Sequence, residues 1–151
     1  MDTLVVTVGL TACLAQVSLG GGLFEYRVVD PAWPGNPALI QPRAGGVNRK
    51  RFWIPAHVAF EASLVGALVV AWTQPQVRTW LLVALASHAA LRIWSALDFI
   101  PKALAFERAE VKPSPDAARR WTRRSLARLP LALLTTLATM AAFATAAQVT
   151  G

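Results

Sequence analysis

Four long apolar stretches, separated by shorter polar segments, are the dominant pattern along the chain. Each holds close to the ~20 residues with which a helix crosses a ~30 Å hydrocarbon core, and none has the polar face of a soluble helix. In lipid the backbone amides must be paired inside their own segment, so the pattern predicts helices and not strands. The predicted spans are residues 3–24, 52–73, 77–100 and 129–149. The fold class is therefore all-α, an integral membrane four-helix bundle in which residues 1–151 form a single transmembrane domain.

The composition agrees with a membrane protein and argues against two other classes. Hydrophobic residues make up 55% of the chain and charged residues 15%. The net charge of +7 does not indicate nucleic acid as a partner, because the basic residues lie between apolar runs and not on a surface beside stacking aromatic residues. The single cysteine, Cys13, excludes an intramolecular disulfide and a redox-active cysteine pair.

The distribution of basic residues predicts the orientation of the bundle. Of the fifteen Lys and Arg residues, thirteen lie in the first loop or in the segment between the third and fourth spans. Because basic residues accumulate on the cytoplasmic side, both segments are expected inside and both termini outside (N-out, C-out), in a multi-pass protein of the plasma (inner) membrane. The thirteen residues are Arg27, Arg43, Arg49, Lys50, Arg51, Lys102, Arg108, Lys112, Arg119, Arg120, Arg123, Arg124 and Arg128.

The first cytoplasmic loop, from about Tyr26 to Arg51, is long and rich in proline and glycine. Its four prolines predict that it does not continue the first helix. Trp33, Leu39 and Ile40 suggest that the loop rests on the membrane surface or over the bundle. A plain cytoplasmic tether is an equally good interpretation.

A basic interfacial helix is predicted directly before the fourth span. Ser114 and Pro115 are typical of a helix cap and first turn, and arginines then recur at three- and four-residue spacing around Trp121. At the cytoplasmic interface such a helix binds anionic lipid headgroups, with ~1 kcal/mol per basic residue. The lipid bilayer is therefore the partner that the sequence indicates most directly, and a homo-oligomer stays open.

Four ionisable residues lie within the second and third spans, where such groups are costly and indicate function. His57 and Glu61 are four residues apart on the second span, and His88 and Arg92 are four residues apart on the third, so each pair shares a helix face. Because the two spans are antiparallel, residues whose numbers have the same sum lie at the same height. Glu61 and His88 are therefore expected to meet near the middle of the membrane.

The same register predicts two further contacts nearer the cytoplasm. One helical turn below the first contact, His57 is expected opposite Arg92. At the interface, Arg51 is expected opposite Asp98. One interpretation of this ladder is purely structural: Glu61 accepts hydrogen bonds from the third span and holds the two helices in register.

A metal site is a functional interpretation of the same cluster. Two histidines and a carboxylate, here His57, Glu61 and His88, form a ligand set that leaves open positions on iron, and imidazole also suits zinc or copper. Glu25, at the inner end of the first span, is a candidate fourth ligand. Arg92 opposes this interpretation, because a fixed cation beside a divalent metal is unfavourable unless it binds an anion. The cofactor is thus unknown, with a metal ion as the candidate.

Metal-free proton chemistry is the other functional interpretation. His57 or His88 would act as the base, and Arg92 would stabilise an enolate or phenolate anion. Aromatic residues at similar heights are expected to line a pocket for a flat lipophilic substrate; they are Trp53, Phe60 and Trp94. The candidate catalytic residues are His57, Glu61, His88 and Arg92, with Glu25, Arg51 and Asp98 in support.

Short motifs at the ends of the spans resemble the anthrone oxygenase-like family of small four-span membrane proteins. The motifs are Gly22-Leu23-Phe24-Glu25, Asn48-Arg49, Phe52-Trp53-Ile54-Pro55, Arg92-Ile93-Trp94, Phe99-Ile100-Pro101 and Arg120-Trp121. A few fungal members of that family are linked to the oxidation of anthrones to anthraquinones. The resemblance implies the four-span architecture and an oxygenase-like activity on a lipophilic ring compound.

Three functions are consistent with the sequence. The first is a membrane oxidoreductase or oxygenase acting on a small lipophilic ring compound at the His/Glu/Arg cluster. The second is a non-catalytic membrane scaffold or partner protein, in which the cluster only joins helices. The third is a proton-coupled small-molecule exporter with a membrane-embedded glutamate, which Arg92 opposes because a nearby cation disfavours protonation of the carboxylate.

Overall fold

The computed structural model describes residues 2–108 and 114–150, and over these ranges the chain is helical and has no strand. Four helices are long and apolar enough to cross a membrane. They are α1 (Thr3–Ala32), α2 (Lys50–Val70), α3 (Pro75–Arg108) and α4 (Pro115–Val149). The predicted all-α four-helix fold is confirmed. Lys112, counted among the basic residues of the inner side, lies outside the described residues.

Three of the four helices continue beyond the predicted spans, all toward the end of the bundle that carries the basic loops. Within α1 the α-helix Thr3–Phe24 passes into a π-helical turn, Glu25–Val29, and then Asp30–Ala32. Within α3 the segments are Pro75–Trp94, a π-helical turn Ser95–Phe99 and Ile100–Arg108. Within α4 they are Pro115–Ser125, a 3₁₀ turn Leu126–Arg128 and Leu129–Thr150.

The prediction that the first loop does not continue the first helix is wrong for its first part. The chain stays helical to Ala32 and includes Pro31. A proline is tolerated there because it follows directly on the π-helical turn, in the first turn of a new helical segment, where its missing N–H leaves no hydrogen bond unmade. Beyond Ala32 the loop forms two 3₁₀ turns, Pro37–Ile40 and Pro42–Ala44, and reverses at Gly45 with a φ of 83°.

The four helices are held together by small residues and hydroxyl groups. Ala138, Ala142 and Ala146, at four-residue spacing on α4, are at most 2% exposed and let the neighbouring backbones come close. The hydroxyls of Thr11 and Ser63 join α1 to α2 over 2.7 Å, and those of Ser87 and Thr135 join α3 to α4 over 2.8 Å. α4 thus packs along α1 and α3, and α1 along α2, whereas α2 and α3 touch at few positions.

A second core closes the end of the bundle that carries the basic first loop, called the inner end after its predicted orientation. Trp33 and Ile40 from the first loop are fully buried, and they pack with Phe99 of α3 and Trp121 of α4. The rings of Trp33 and Trp121 meet edge to face at 5.9 Å. The loop therefore lies over the bundle, as one of the sequence interpretations proposed, and it is not a plain tether.

The outer surface of the helices is apolar. Large hydrophobic side chains that are more than two-fifths exposed occur on all four helices. Examples are Leu10, Val65, Val69, Leu82 and Leu137. A soluble monomer rarely exposes apolar surface on this scale, so the outside of the bundle is a surface for lipid and the protein is a multi-pass membrane protein.

The second core and the first loop that covers it, together called the inner cap, depend on a close backbone approach at Gly46. A methyl group at this position would overlap the backbone carbonyls of Ala38 and Leu39, whereas at Gly35 the nearest atom is 3.8 Å from such a methyl group. We expect Gly46→Ala to lower the melting temperature of the purified protein by several degrees, the effect of about 1–3 kcal/mol of overpacking. Gly35→Ala is the matched control, and equal melting temperatures of the two variants would contradict this account of the cap.

Candidate functional site

A cavity of about 440 Å³, partly open to the outside of the bundle, lies in its inner half. Its walls are mostly apolar side chains, among them Phe60, Leu91 and Leu129. The size and the apolar walls are those of sites that hold small organic ligands. Two groups of polar residues line it: His57, His88 and Arg92 belong to one, and Asp30, Arg49 and Arg128, from the inner cap, belong to the other.

The first group is organised by Glu61. One carboxylate oxygen, Oε1, lies 3.1 Å from Nε2 of His88 and 3.0 Å from Nε of Arg92. The predicted contact between Glu61 and His88 is confirmed. Glu61 itself does not line the cavity, whereas both of its partners do. The carboxylate therefore orients and neutralises the groups that face the cavity.

The predicted pairing of His57 with Arg92 is wrong. The side chain of Arg92 extends one helical turn back to the level of His88, where it pairs with the carboxylate of Glu61 on α2. A guanidinium at membrane depth is stabilised more by an opposite charge than by a neutral imidazole. His57 instead stacks on Trp53, with ring centroids 5.3 Å apart and an interplanar angle of 23°. Its ring also lies 5.9 Å from that of His88.

His57 has an unused polar atom. Its Nδ1 is buried and has no hydrogen-bond partner. The ring is held through Trp53, whose Nε1–H donates to Glu25 over 2.9 Å. A residue at the π-helical turn of α1 thus fixes the plane of His57, a residue of the cavity wall whose Nδ1 has no hydrogen-bond partner.

The three candidate metal ligands are close together. One ligand atom from each of His57, Glu61 and His88 lies within 4.8 Å of the others. Two neighbouring ligands of a metal ion at ~2.1 Å are separated by roughly 3.0–3.4 Å, so the 3.1 Å between Glu61 and His88 fits and His57 would have to approach. Glu25 does not belong to this group of candidate metal ligands, since its carboxylate accepts a hydrogen bond from Trp53.

The third predicted contact, between Arg51 and Asp98, is also wrong. Asp98 pairs with Lys102 on its own helix and with Arg124 of α4. Arg51 is exposed and does not line the cavity. Asp98 lies within the π-helical turn Ser95–Phe99, where the residues per turn differ from those of an α-helix, so the register of a straight α-helix does not apply to it.

Several residues of the inner group were not predicted from the sequence. Arg49 and Glu107 form an ion pair of 3.1 Å with both side chains 8% exposed. Asp30 is 5% exposed and accepts a hydrogen bond from Nε1 of Trp33 over 3.1 Å. The only sequence signal for Asp30 was an acidic residue in a basic loop, and only the tertiary structure brings Arg49 to Glu107.

Two of the three aromatic residues that were expected to line the pocket do so, namely Trp53 and Phe60. Trp94 packs against Phe99 instead, with centroids 5.5 Å apart. In comparisons with known proteins, no family model, no curated protein and no solved structure matches the chain. The resemblance to anthrone oxygenase-like proteins therefore stays a prediction from the sequence.

Glu61 and Arg92 are expected to be energetically coupled. Glu61→Gln leaves the guanidinium of Arg92 without its counter-charge, so we expect it to destabilise the protein by about 1 kcal/mol in a membrane-like environment. Adding Arg92→Leu removes the uncompensated cation and should recover part of the loss. The measurement is a double-mutant cycle from thermal melting in one detergent, and additive effects of the two substitutions would contradict the pairing.

Proposed function

We propose that the protein is an oxygenase of the plasma membrane that oxidises a small, flat, lipophilic ring compound in the cavity. The support is the unpartnered Nδ1 of His57, which belongs to a cavity wall that also carries Arg92 and His88. A base next to a cation, in an apolar chamber of the size of a small organic ligand, suits removal of a proton from a ring carbon.

Each residue of the first polar group has a role in this proposal. Arg92 binds the carbonyl oxygen of the ring compound and stabilises the negative charge that develops there. His57 takes the proton through Nδ1. Glu61 orients Arg92 and His88, and Glu25 orients His57 through Trp53, so both carboxylates are positioning residues and not catalytic ones.

The proposed reaction uses molecular oxygen as the oxidant. His57 removes a proton from the ring methylene, and the electron pair left on carbon is delocalised onto the oxygen that Arg92 binds. The carbanion adds oxygen, the proton returns, and a ring hydroperoxide forms. Loss of water then gives a ketone, so the methylene loses two hydrogens and gains one oxygen while the second oxygen atom leaves as water. This is the conversion of an anthrone-type to an anthraquinone-type compound.

The geometry favours this proposal over the two other functions. A scaffold protein needs neither a cavity between its helices nor a buried imidazole nitrogen without a partner. A proton-coupled exporter needs a carboxyl that takes up protons readily, whereas Glu61 is paired with both His88 and Arg92. The exposed face of Pro115–Ser125, with its arginines, supports the further proposal that anionic headgroups hold this segment at the inner interface.

Turnover should depend on His57. We expect His57→Ala to lower kcat for anthrone oxidation by about a hundredfold or more, because a general base contributes roughly 10²–10⁴ in rate. The measurement is oxygen uptake, together with appearance of the quinone, by purified protein in detergent. Arg124→Gln, which alters a residue paired with Asp98 outside the cavity, is the control. Equal turnover by wild type and His57→Ala would refute the proposed role.

A metal-dependent form of the same reaction is a second candidate, favoured by the closeness of the three donors. The two mechanisms differ in their response to chelation. Because Arg92 already binds Glu61, we expect turnover to be unchanged by an excess of chelator. Loss of turnover on chelation, restored by a stoichiometric divalent metal that His57→Ala does not bind, would replace the base mechanism by the metal one.

A further inference from the structure

Three buried side-chain polar atoms in the described ranges have no hydrogen-bond partner, and all three belong to residues that line the cavity. They are Oγ of Ser18, Nδ1 of His57 and Nε1 of Trp121. Buried polar groups are nearly always hydrogen-bonded, because leaving them without a partner carries a free-energy cost. Their location around one cavity indicates a ligand that offers polar atoms at more than one point.

Trp121 is the most informative of the three. Its side chain is 6% exposed and is fixed by edge contacts with Trp33, Phe99 and Phe106 at 5.9–6.1 Å. An indole N–H is a donor only. The group that satisfies it must therefore be an acceptor, and the ring has little freedom to turn toward another partner.

Arg128 lies in the wall of the same part of the cavity. Its guanidinium lies 4.3 Å from the centroid of the Phe99 ring and donates to Oγ of Ser95 over 3.3 Å. It also donates to the carbonyl and hydroxyl of Ser125. No carboxylate in the described part of the chain forms an ion pair with it, in contrast to Arg49, which is paired with Glu107. Its hydrogen-bond partners are thus all neutral, and the carboxylates of Glu25 and Asp30 attract it only from beyond ion-pair distance. A guanidinium hydrogen-bonded only to neutral groups in a cavity wall can bind an anionic ligand group.

The acidic residues at this end do not supply the missing acceptor. Asp30 is engaged by Nε1 of Trp33, and Glu25 by Nε1 of Trp53. Neither carboxylate contacts Trp121 by a hydrogen bond, since its Nε1 has no partner. Nε1 of Trp121 is thus left without an acceptor and Arg128 without an ion pair among the described residues.

We infer that the inner end of the cavity is a second polar subsite, in which Nε1–H of Trp121 and the guanidinium of Arg128 bind an anionic oxygen, a carboxylate or phenolate, of the ring compound. This inference rests on the proposed function, because it concerns the same ligand. Phe99, which contacts both residues, is seven positions from Arg92 on α3, or about 10 Å along the helix. The ligand therefore belongs to the class of elongated, lipophilic ring compounds with an oxygen at each end.

Binding of three anthraquinones tests the subsite. The probes are unsubstituted anthraquinone, anthraquinone-2-carboxylate and the neutral anthraquinone-2-carboxamide, and their affinities are measured by equilibrium dialysis against the purified protein in one detergent. Partition of each probe into micelles is measured by dialysis of detergent without protein and subtracted, so that affinities can be compared between probes as well as between variants. We expect the carboxylate to bind about tenfold more tightly than the unsubstituted ring, with the amide between them, the range of one charge-assisted hydrogen bond.

Two variants remove the subsite independently. Trp121→Phe keeps the aromatic packing and loses only the N–H, and Arg128→Met keeps the chain and loses the charge. Each should lower the affinity for the carboxylate by about five- to tenfold and leave that for the unsubstituted ring within about twofold. Arg124→Met, next to Asp98 outside the cavity, is the matched control. Melting temperatures identify a variant that fails to fold, and the other variant then decides.

The outcomes separate the subsite from the proposed reaction. Equal affinities of wild type for the carboxylate and the unsubstituted ring, or a carboxylate preference that survives in both variants, would overturn the subsite. An amide that binds as tightly as the carboxylate would overturn the role of the charge on Arg128. A preference that both variants abolish, together with no oxidation of any anthrone, would support the subsite and refute the oxygenase.

Discussion

The structure of the site depends on one carboxylate at membrane depth. Glu61 joins α2 to α3, two helices that touch at few positions, and its Oε1 accepts from both His88 and Arg92. Without this charge, a guanidinium would remain inside the membrane with no counter-ion, which is a costly state. The same hydrogen bonds orient His88 and Arg92 toward the cavity. The carboxylate that joins the two helices therefore also positions the polar groups of the cavity wall.

The cavity lies toward the inner end of the bundle, which is closed by a separate core from the first loop, α3 and α4. Two π-helical turns, Glu25–Val29 and Ser95–Phe99, lie at this level and place Glu25, Ser95 and Phe99 in the wall. The first loop then covers the end through Trp33. The apolar cavity thus lies between the polar group around Glu61 and the inner cap. A lipophilic molecule that binds there can form hydrogen bonds at both ends.

The sequence predicted the four spans and the contact of Glu61 with His88, because both follow from hydrophobic length and from antiparallel register. The partner of Arg92 could not be predicted from the register, because its long side chain reaches the opposite charge of Glu61 one helical turn away from its own level. The contact of Asp98 was predicted wrongly because Asp98 lies within a π-helical turn, which the sequence did not indicate. The inner core and the pair of Arg49 with Glu107, 58 residues apart, depend on tertiary contacts that no local pattern contains.

The central claim is that one elongated ring compound binds inside the bundle, between Nδ1 of His57 and Nε1 of Trp121. An experimental structure of the protein with anthraquinone-2-carboxylate tests it most directly. The account predicts density for a flat ring in the cavity, with its carboxylate at Trp121 and Arg128 and a carbonyl oxygen at Arg92. A ligand seated on the lipid-facing surface, or a cavity filled by the protein's own side chains, would contradict it.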